Sequence, residues 1–400
     1  MEIEPFGDRL RRYRQRAGMT RPVLGGLVGR SAEWVKALET GRLQTPRLPL
    51  LIRLAQLLGV DDLADLTGEQ RIAAASYLKP AHEATPEIAR ALTAYQLAGS
   101  AEPVPAGELT RRLAQAWQLW HGSRTHRTNI AAFLPGLLHD TQASARLLDG
   151  EDRRDAQRLL AQTYHLAQLF LSFQPFPELI YLTGDRAMSA AQGADDPHAI
   201  AAAAWYVNHV YRDAGERHEA RVELATQAAA LLTPDRGPAD LASWGLLQLA
   251  VALSYAKAGQ DGAAWRHWDM ASQAATALGG DYSHPWLIFG RGMVDAYAIT
   301  MHSDLMRPGE AVRQADQTEI AAVPSATRRS FHLIETARAY SLRREPAATV
   351  YLLRRAYDES PDTIRFNLFS RSEVGELLHA GSSTVRDDVR DLAEKLDIAA

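Results

Sequence analysis

Apolar residues recur at every third or fourth position along almost the whole chain of 400 residues. This spacing places them on one face of an α-helix, whereas the alternation that is typical of a β-strand is missing. Prolines cluster where the helical pattern stops, for example at Pro80 and Pro86. The pattern predicts an all-α protein with short helices over residues 1–66 (the head), a connector over 67–86, and longer helices over 87–400 (the body).

The longer helices come in pairs that are joined by similar turns. The sequence GERHEA at 215–220 recurs as GQDGAA at 259–264, forty-four residues later, and a third version is RREPAA at 343–348. A glycine suits the left-handed end of the first helix of a pair, and a small alanine lets the second helix lie close to it. We interpret the body as a stack of antiparallel helix pairs that resembles tetratricopeptide repeats, with an irregular helical bundle as the alternative.

The strongest local pattern lies in residues 20–39. Thr20 is placed to cap one short helix, and Ser31 is placed to cap a second helix over Ala32–Glu39. Gly25 supplies the small side chain that two crossing helices require where their backbones approach. This combination predicts a helix-turn-helix, in which the second helix enters the major groove of DNA.

Charge is distributed unevenly along the chain. Residues 1–60 hold eleven Arg and Lys against five Asp and Glu, a net charge of +6, so that the remainder must carry −10 for the total to be −4. A small basic head on a large acidic body indicates that the head meets a polyanion such as DNA.

Residues 5–66 resemble the Xre family, the DNA-binding domain of many phage repressors. The similarity includes the basic first helix FGDRLRRYRQR, the segment LETGR after the helix-turn-helix, and the later helix LIRLAQLLGV. It implies a five-helix head in which the helix over Ala32–Glu39 lies in the major groove. The resemblance places against the bases Ala32, Glu33, Trp34, Lys36 and Ala37, and against the phosphates Thr20, Arg21, Ser31, Arg42 and Arg47.

The base-facing residues can make different kinds of contact with the bases. Glu33 can accept a hydrogen bond from cytosine N4, and Lys36 can donate to guanine O6 or N7. The methyl groups of Ala32 and Ala37 can touch a thymine methyl, and so can Trp34. For Trp34 we favour the alternative, in which its side chain packs between the helix and the sugar–phosphate edge of the DNA.

The body also resembles a known group, the actinobacterial Xre regulators with tetratricopeptide-like C-terminal domains. The similar stretches include LTGDRAM at 182–188 and SATRRSFH at 325–332. The same layout occurs in peptide-sensing quorum regulators of Gram-positive bacteria, whose helical bodies dimerise and bind a signal peptide on their concave face. The resemblance implies a homodimer that responds to a small molecule or a peptide.

Aromatic residues with polar neighbours on the inner helices are the candidate ligand contacts. Trp205, Asn208 and Tyr211 share one helix face, and Arg212 follows them. Asn208 suits a peptide backbone and Arg212 suits a carboxylate. Gln248 and Tyr255 occupy comparable positions one repeat later. Core packing is the alternative interpretation of each of these residues.

No motif of a catalytic or metal site occurs in the sequence. The chain has no cysteine, its thirteen histidines are scattered, and the patterns HExxH, GxSxG and the phosphate loop are missing. The N-terminus lacks the apolar stretch of a signal peptide, and no apolar run approaches the ~18 residues of a membrane helix. We therefore expect no enzyme, no cofactor, no metal site, no membrane contact and a cytoplasmic location.

These observations favour a homodimeric transcription regulator that binds a palindromic double-stranded DNA operator. The body would dimerise the protein and sense a small molecule or peptide, because a superhelix can change curvature when its concave face binds a ligand. The alternative is a protein-interaction scaffold, in which the helical body binds a partner and the head is an accessory module.

Overall fold

The computed structural model describes residues 4–68, 79–95, 102–214, 218–380 and 384–398. In these residues all regular secondary structure is α-helical, apart from short 3-10 helices at Pro234–Arg236 and Ile320–Ala322. The all-α fold that the apolar spacing predicts is confirmed. Part of the predicted connector lies outside the described residues, as do residues 215–217 of the first predicted turn.

Five helices build the head. Their bounds are α1 Phe6–Arg16, α2 Arg21–Leu27, α3 Ala32–Glu39, α4 Leu48–Leu58 and α5 Leu63–Thr67. The side chains of Leu10, Leu24, Val35 and Leu54 are fully buried and meet in a hydrophobic core that belongs to the head alone. Since each of these helices has one apolar face, packing those faces together fixes how α2 and α3 lie against the others.

Seventeen further helices lie in the described residues that follow the head. Their bounds are α6 Thr85–Thr93, α7 Ala106–Gly122, α8 His126–Ala131, α9 Leu134–Leu147, α10 Gly150–Leu171, α11 Pro177–Gly193, α12 Pro197–Ala214, α13 His218–Ala229, α14 Pro238–Lys257, α15 Asp261–Leu278, α16 Arg291–Asp304, α17 Pro308–Gln317, α18 Ala326–Leu342, α19 Pro346–Glu359, α20 Pro361–Phe366, α21 Leu368–Ala380 and α22 Arg386–Lys395. Six of them begin at a proline, whose missing N–H has no helical partner in the first turn.

Consecutive helices of the body form the pairs that the turn sequences predict. Helix α14 packs on α15, and α18 packs on α19. Gly259 lies between the first two with a φ of +78°, the left-handed conformation expected at that helix end. Arg344 occupies the corresponding turn between α18 and α19 with a φ of +62°.

Six helices of the body form a closed ring. Helices α7, α10, α12, α14, α16 and α18 each contact the next one, and α18 contacts α7. The intervening helices α11, α13, α15 and α17 pack against these inner helices from outside. Burial agrees with this arrangement, because α14 is buried on nearly every face. The helix pairs therefore close on themselves, whereas the tetratricopeptide resemblance implies an open superhelix.

A buried arginine joins α8 to α20, next to the place where α7 and α18 close the ring. Arg127 of α8 donates from Nη1 to the Asp362 carbonyl oxygen at 2.9 Å, and its backbone N–H donates to the Asp362 carboxylate at 2.9 Å. Its guanidinium also lies 4.8 Å from the ring centroid of Phe366. Burial lowers the pKa of Arg127 to about 10, so it stays charged at neutral pH. Such a charge is stable in the interior only because these acceptors surround it.

Candidate nucleic-acid interface

Two capped helices form the helix-turn-helix. The Thr20 hydroxyl accepts from the Val23 N–H at 3.4 Å, and the Ser31 hydroxyl accepts from the Trp34 N–H at 3.1 Å. Both caps satisfy N–H groups that a helix leaves unpaired at its start. A Cβ on Gly25 would lie 2.8 Å from the Arg30 carbonyl oxygen, so only glycine allows the turn to approach α2 this closely.

The outer face of α3 presents one acidic and one basic side chain. Glu33 and Lys36 are both exposed, and the Lys36 ammonium lies 3.4 Å from the Glu33 carboxylate. Ala32 is half-buried at the start of the same helix. An exposed ion pair of this kind contributes little to stability. Both side chains can therefore leave the pair and form hydrogen bonds with base edges.

The prediction that Ala37 faces the bases is wrong. Its side chain is only 1% exposed, because the chain turns back against α3 directly after the helix. The N–H groups of Arg42 and Leu43 both donate to the Ala37 carbonyl oxygen, at 2.8 and 3.1 Å. Trp34 is half-buried and packs on the core of the head, and its position relative to the sugar–phosphate edge stays a prediction.

A buried carboxylate fixes the end of α3 to α1 and α2. Glu39 accepts from Arg14 Nε at 2.5 Å and from Arg21 Nε at 2.8 Å, and its side chain is fully buried. Burial by itself raises the pKa of Glu39, but the hydrogen bonds and charges of Arg14 and Arg21 lower it below its ordinary value. No sequence pattern indicates this cluster, since a glutamate at a helix end has no special spacing or neighbours.

The predicted phosphate contacts differ in how the head presents them. Thr20, Arg42 and Arg47 are exposed. Arg21 is one-third exposed and tied to Glu39, so this interaction orients its guanidinium. Ser31 is half-buried, because the body lies next to it.

The body contacts the head at the start of α3 and just after its end. A Cβ on Gly259 would lie 2.3 Å from the Ser31 Cβ. Gln44 Nε2 donates to the Glu373 carboxylate at 3.4 Å, and the Ser372 hydroxyl donates to Gln44 Oε1 at 2.8 Å. The turn after α18 adds a third contact, from Arg344 Nη2 to the Gly41 carbonyl oxygen at 3.4 Å. We call this set of contacts the head–body contact.

The predicted ligand residues of α12 occupy structural positions where their side chains are described. Trp205 is fully buried, and Asn208 donates to the carbonyl oxygens of Ala204 and Arg221, both at 3.1 Å. Asn208 Oδ1 accepts from the Ser254 hydroxyl at 3.3 Å, so the amide already joins three helices. The cavity beside them measures about 10 Å³, roughly the space for one water. The side chains of Tyr211 and Arg212 lie outside the described part of the chain.

Gln248 and Tyr255 form a second group, on the side of α14 that faces α15. Gln248 Oε1 lies 2.7 Å from His267 Nδ1, and the Tyr255 ring centroid lies 5.7 Å from that of His267. The structure therefore divides the four predicted ligand residues whose side chains it describes between two places. Their role in binding a ligand stays a prediction.

Comparison with known proteins bears on the head alone. A family model described as a helix-turn-helix domain matches residues 5–66. No curated protein and no solved structure matches the chain. Among the described residues, no helix is both long and apolar enough to span a membrane.

Proposed function

We propose that this protein is a sequence-specific DNA-binding regulator that reads its operator with α3. The observation that carries the proposal is the exposed pair Glu33 and Lys36 on a helix that the Ser31 cap and the buried Glu39 hold in place. The helix-turn-helix match over residues 5–66 supports it. A preformed recognition helix with an exposed long donor is the arrangement that direct readout of a base pair requires.

Selection of bound fragments from a random DNA library by the purified protein tests this function. Lys36→Ala is expected to weaken binding to the selected operator by about 1–3 kcal/mol and to relax the preference at one base pair. Lys395→Ala is the matched control, because Lys395 is also an exposed lysine in an intrahelical ion pair, with Asp391 at 2.8 Å, but lies in the body. Equal affinities of both variants for every sequence would refute the assignment of α3.

The body in this proposal dimerises the protein and responds to an effector. One head covers only the lower part of the ~1,000–2,500 Å² that a specific protein–DNA interface buries, so two heads on a palindrome are expected. A sedimentation experiment with and without operator measures the stoichiometry. If the body captures a protein partner and no DNA sequence is selected, the scaffold alternative takes the place of this function.

The head–body contact suggests a closed state of the protein in which DNA binding is blocked. Ser31 belongs to the predicted phosphate contacts, and Gly259 of the body lies directly against it. DNA cannot reach the start of α3 while this contact is closed, because two groups cannot occupy the same space. Binding of DNA and closure of the head are therefore competing states of one equilibrium.

Crosslinking tests this competition, because the chain has no native cysteine. The variant Gln44→Cys/Ser372→Cys, joined by a short cleavable bismaleimide, would hold the head against the body. We expect the joined form to lose operator binding and the cleaved form to recover it. The same variant without the reagent is the control, and equal DNA affinity of the joined and cleaved forms would refute the competition.

A further inference from the structure

The centre of the body ring holds polar side chains, all but one of them aromatic, from five of its six inner helices. These residues are His121, His165, Tyr206, Tyr297, Arg328 and His332. The rings of His165 and Tyr206 stack with centroids 4.5 Å apart, and those of Tyr297 and His332 lie 5.1 Å apart. Arg328 Nη1 donates to the Tyr297 hydroxyl at 2.7 Å. We call this group the ring-centre cluster.

Several polar atoms of the ring-centre cluster are buried without a hydrogen-bond partner among the described residues. They are the Tyr206 hydroxyl and both ring nitrogens of His165 and of His332. All three side chains are at most 1% exposed. An unsatisfied buried group costs about 1–3 kcal/mol, so five such atoms in one place indicate a site for a molecule that supplies their partners.

The ring-centre cluster also has an uncompensated positive charge. Arg328 has no carboxylate partner within the described part of the chain, whereas its neighbour Arg329 pairs with Glu359 at 2.8 Å. Burial, with a smaller contribution from the Arg328 cation, lowers the pKa of His332 to about 3 and that of His121 to about 4. Burial alone lowers the pKa of His165 to about 3. The three imidazoles are thus neutral at neutral pH, and Arg328 supplies the charge.

A planar ring from the chain itself already contacts this site. The indole of Trp286, on the loop between α15 and α16, is stacked with the His165 ring at a centroid distance of 6.0 Å. The Trp286 carbonyl oxygen lies 2.9 Å from His121 Nε2. Two residues further on, Ile288 has a φ of +62°, which is strained for a β-branched side chain. This local strain lowers the free energy that release of the loop requires.

We propose that the ring-centre cluster binds a small aromatic carboxylate. The carboxylate would pair with Arg328 and accept from the Tyr206 hydroxyl, and the flat ring would stack on His165 in the place that the Trp286 indole now occupies. Burial raises the pKa of Tyr206, so that its hydroxyl remains a donor at neutral pH. This proposal names the chemistry of the effector and rests on the proposed function only for the consequence on DNA binding.

Binding is measured without DNA, by titration calorimetry of the full chain with indole-3-acetate, phenylacetate and benzoate. The uncharged indole-3-acetamide has the same shape as the first probe and lacks the carboxylate. We expect at least one acid to bind and the amide to bind about tenfold more weakly or worse, the ratio typical of one charge-assisted hydrogen bond. Equal affinities of acid and amide, or no binding by any of the acids, would overturn the proposal.

Two variants, each with a matched control, locate the site. Tyr206→Phe removes an unpartnered hydroxyl, so we expect unchanged or higher thermal stability and about tenfold weaker binding of the acid. Tyr164→Phe removes a hydroxyl that accepts from Gln142 at 3.2 Å, so it should lower stability and leave binding intact. Arg328→Met should abolish binding of the acid, whereas Arg329→Met should preserve it.

The outcomes separate this site from the proposed function. Wild-type binding by both Tyr206→Phe and Arg328→Met would refute the site, even if the protein binds its operator as proposed. A crystal structure with the acid present that shows only ordered waters on Tyr206 and His332 would refute it equally. Binding of the acid that leaves operator affinity unchanged would support the site and remove the effector role of the body.

Discussion

Removing the Glu39 carboxylate is expected to destabilise the head while the stability of the body is unchanged. Glu39 accepts from Arg14 at 2.5 and 3.3 Å and from Arg21 at 2.8 Å, and no part of its side chain is exposed. Glu39→Ala leaves the guanidinium of Arg14, which is 10% exposed, without its counter-charge. The substitution therefore creates a buried unpaired charge at the junction of α1, α2 and α3.

The magnitude follows from how deeply each partner is buried. Loss of one partner of a buried ion pair costs about 3–5 kcal/mol, whereas an exposed pair contributes about 0–1 kcal/mol. Arg14 belongs to the first class, and Arg21 and Arg11, which are 33% and 44% exposed, are closer to the second. We therefore expect a loss of about 3 kcal/mol. A single small core rarely provides more than about 5 kcal/mol, so little stability would remain.

Hydrogen exchange of the full chain, read by mass spectrometry, measures this loss in the head alone. Amides of α3 should exchange about a hundredfold faster in Glu39→Ala, since each 1.4 kcal/mol is a factor of ten. Peptides from α14 should not change. Glu359→Ala is the control, because its pair with Arg329 is one-quarter to one-third exposed. Unchanged exchange of α3 in Glu39→Ala would refute the reasoning.

The Glu39 carboxylate also predicts how the stability difference between the wild-type head and a Glu39 variant depends on pH. Because the folded pKa of Glu39 lies below its ordinary value of 4.5, the ion pairs stabilise the head fully above pH 4.5. That contribution decreases as the pH falls towards the folded pKa. The difference in exchange between the wild type and Glu39→Gln should therefore shrink as the pH is lowered below 4.5.

Three further predictions concern the DNA surface and the body. Arg47→Ala should weaken binding to all DNA sequences alike and reduce the slope of log affinity against log salt by about one, measured by fluorescence anisotropy. Arg127→Met should destabilise the body by about 1–3 kcal/mol in urea unfolding, because the buried Asp362 carbonyl oxygen loses its side-chain donor and the nearby Asp362 carboxylate loses a compensating positive charge. His165→Gln should make the body less sensitive to acid: with a folded pKa of about 3 against 6.5 unfolded, the wild type loses roughly 1.4 kcal/mol per pH unit below 6.5.

Most of the head could be predicted from sequence because its determinants are local. The two caps, Thr20 and Ser31, and the glycine at position 25 act within a few residues, and α3 begins and ends where they indicate. Ala37 was misplaced because its burial depends on where the chain goes after the helix. Helical spacing alone gives no information about that return.

The ring of the body could not be predicted for the same physical reason. The turns at Gly259 and Arg344 have local sequence patterns, so the helix pairs were foreseeable. Closure brings α7 against α18, where the side chains of His121 and Ser325 form a hydrogen bond although these residues lie 204 positions apart. The ring-centre histidines could not be predicted either, because a pattern of apolar positions treats histidine as polar even where its side chain is fully buried.

Closure of the ring changes how an effector can act on the head. An open superhelix accumulates small rotations along its length, but a closed ring restrains each helix from both sides, so a change of overall curvature is no longer the natural response. Helix α18 offers a more direct route. It carries Arg328 in the ring-centre cluster and ends at the turn whose Arg344 contacts Gly41 of the head. Its 17 residues form a rod of about 25 Å. A carboxylate bound at Arg328, as proposed above, would therefore act on the same helix whose following turn contacts the head.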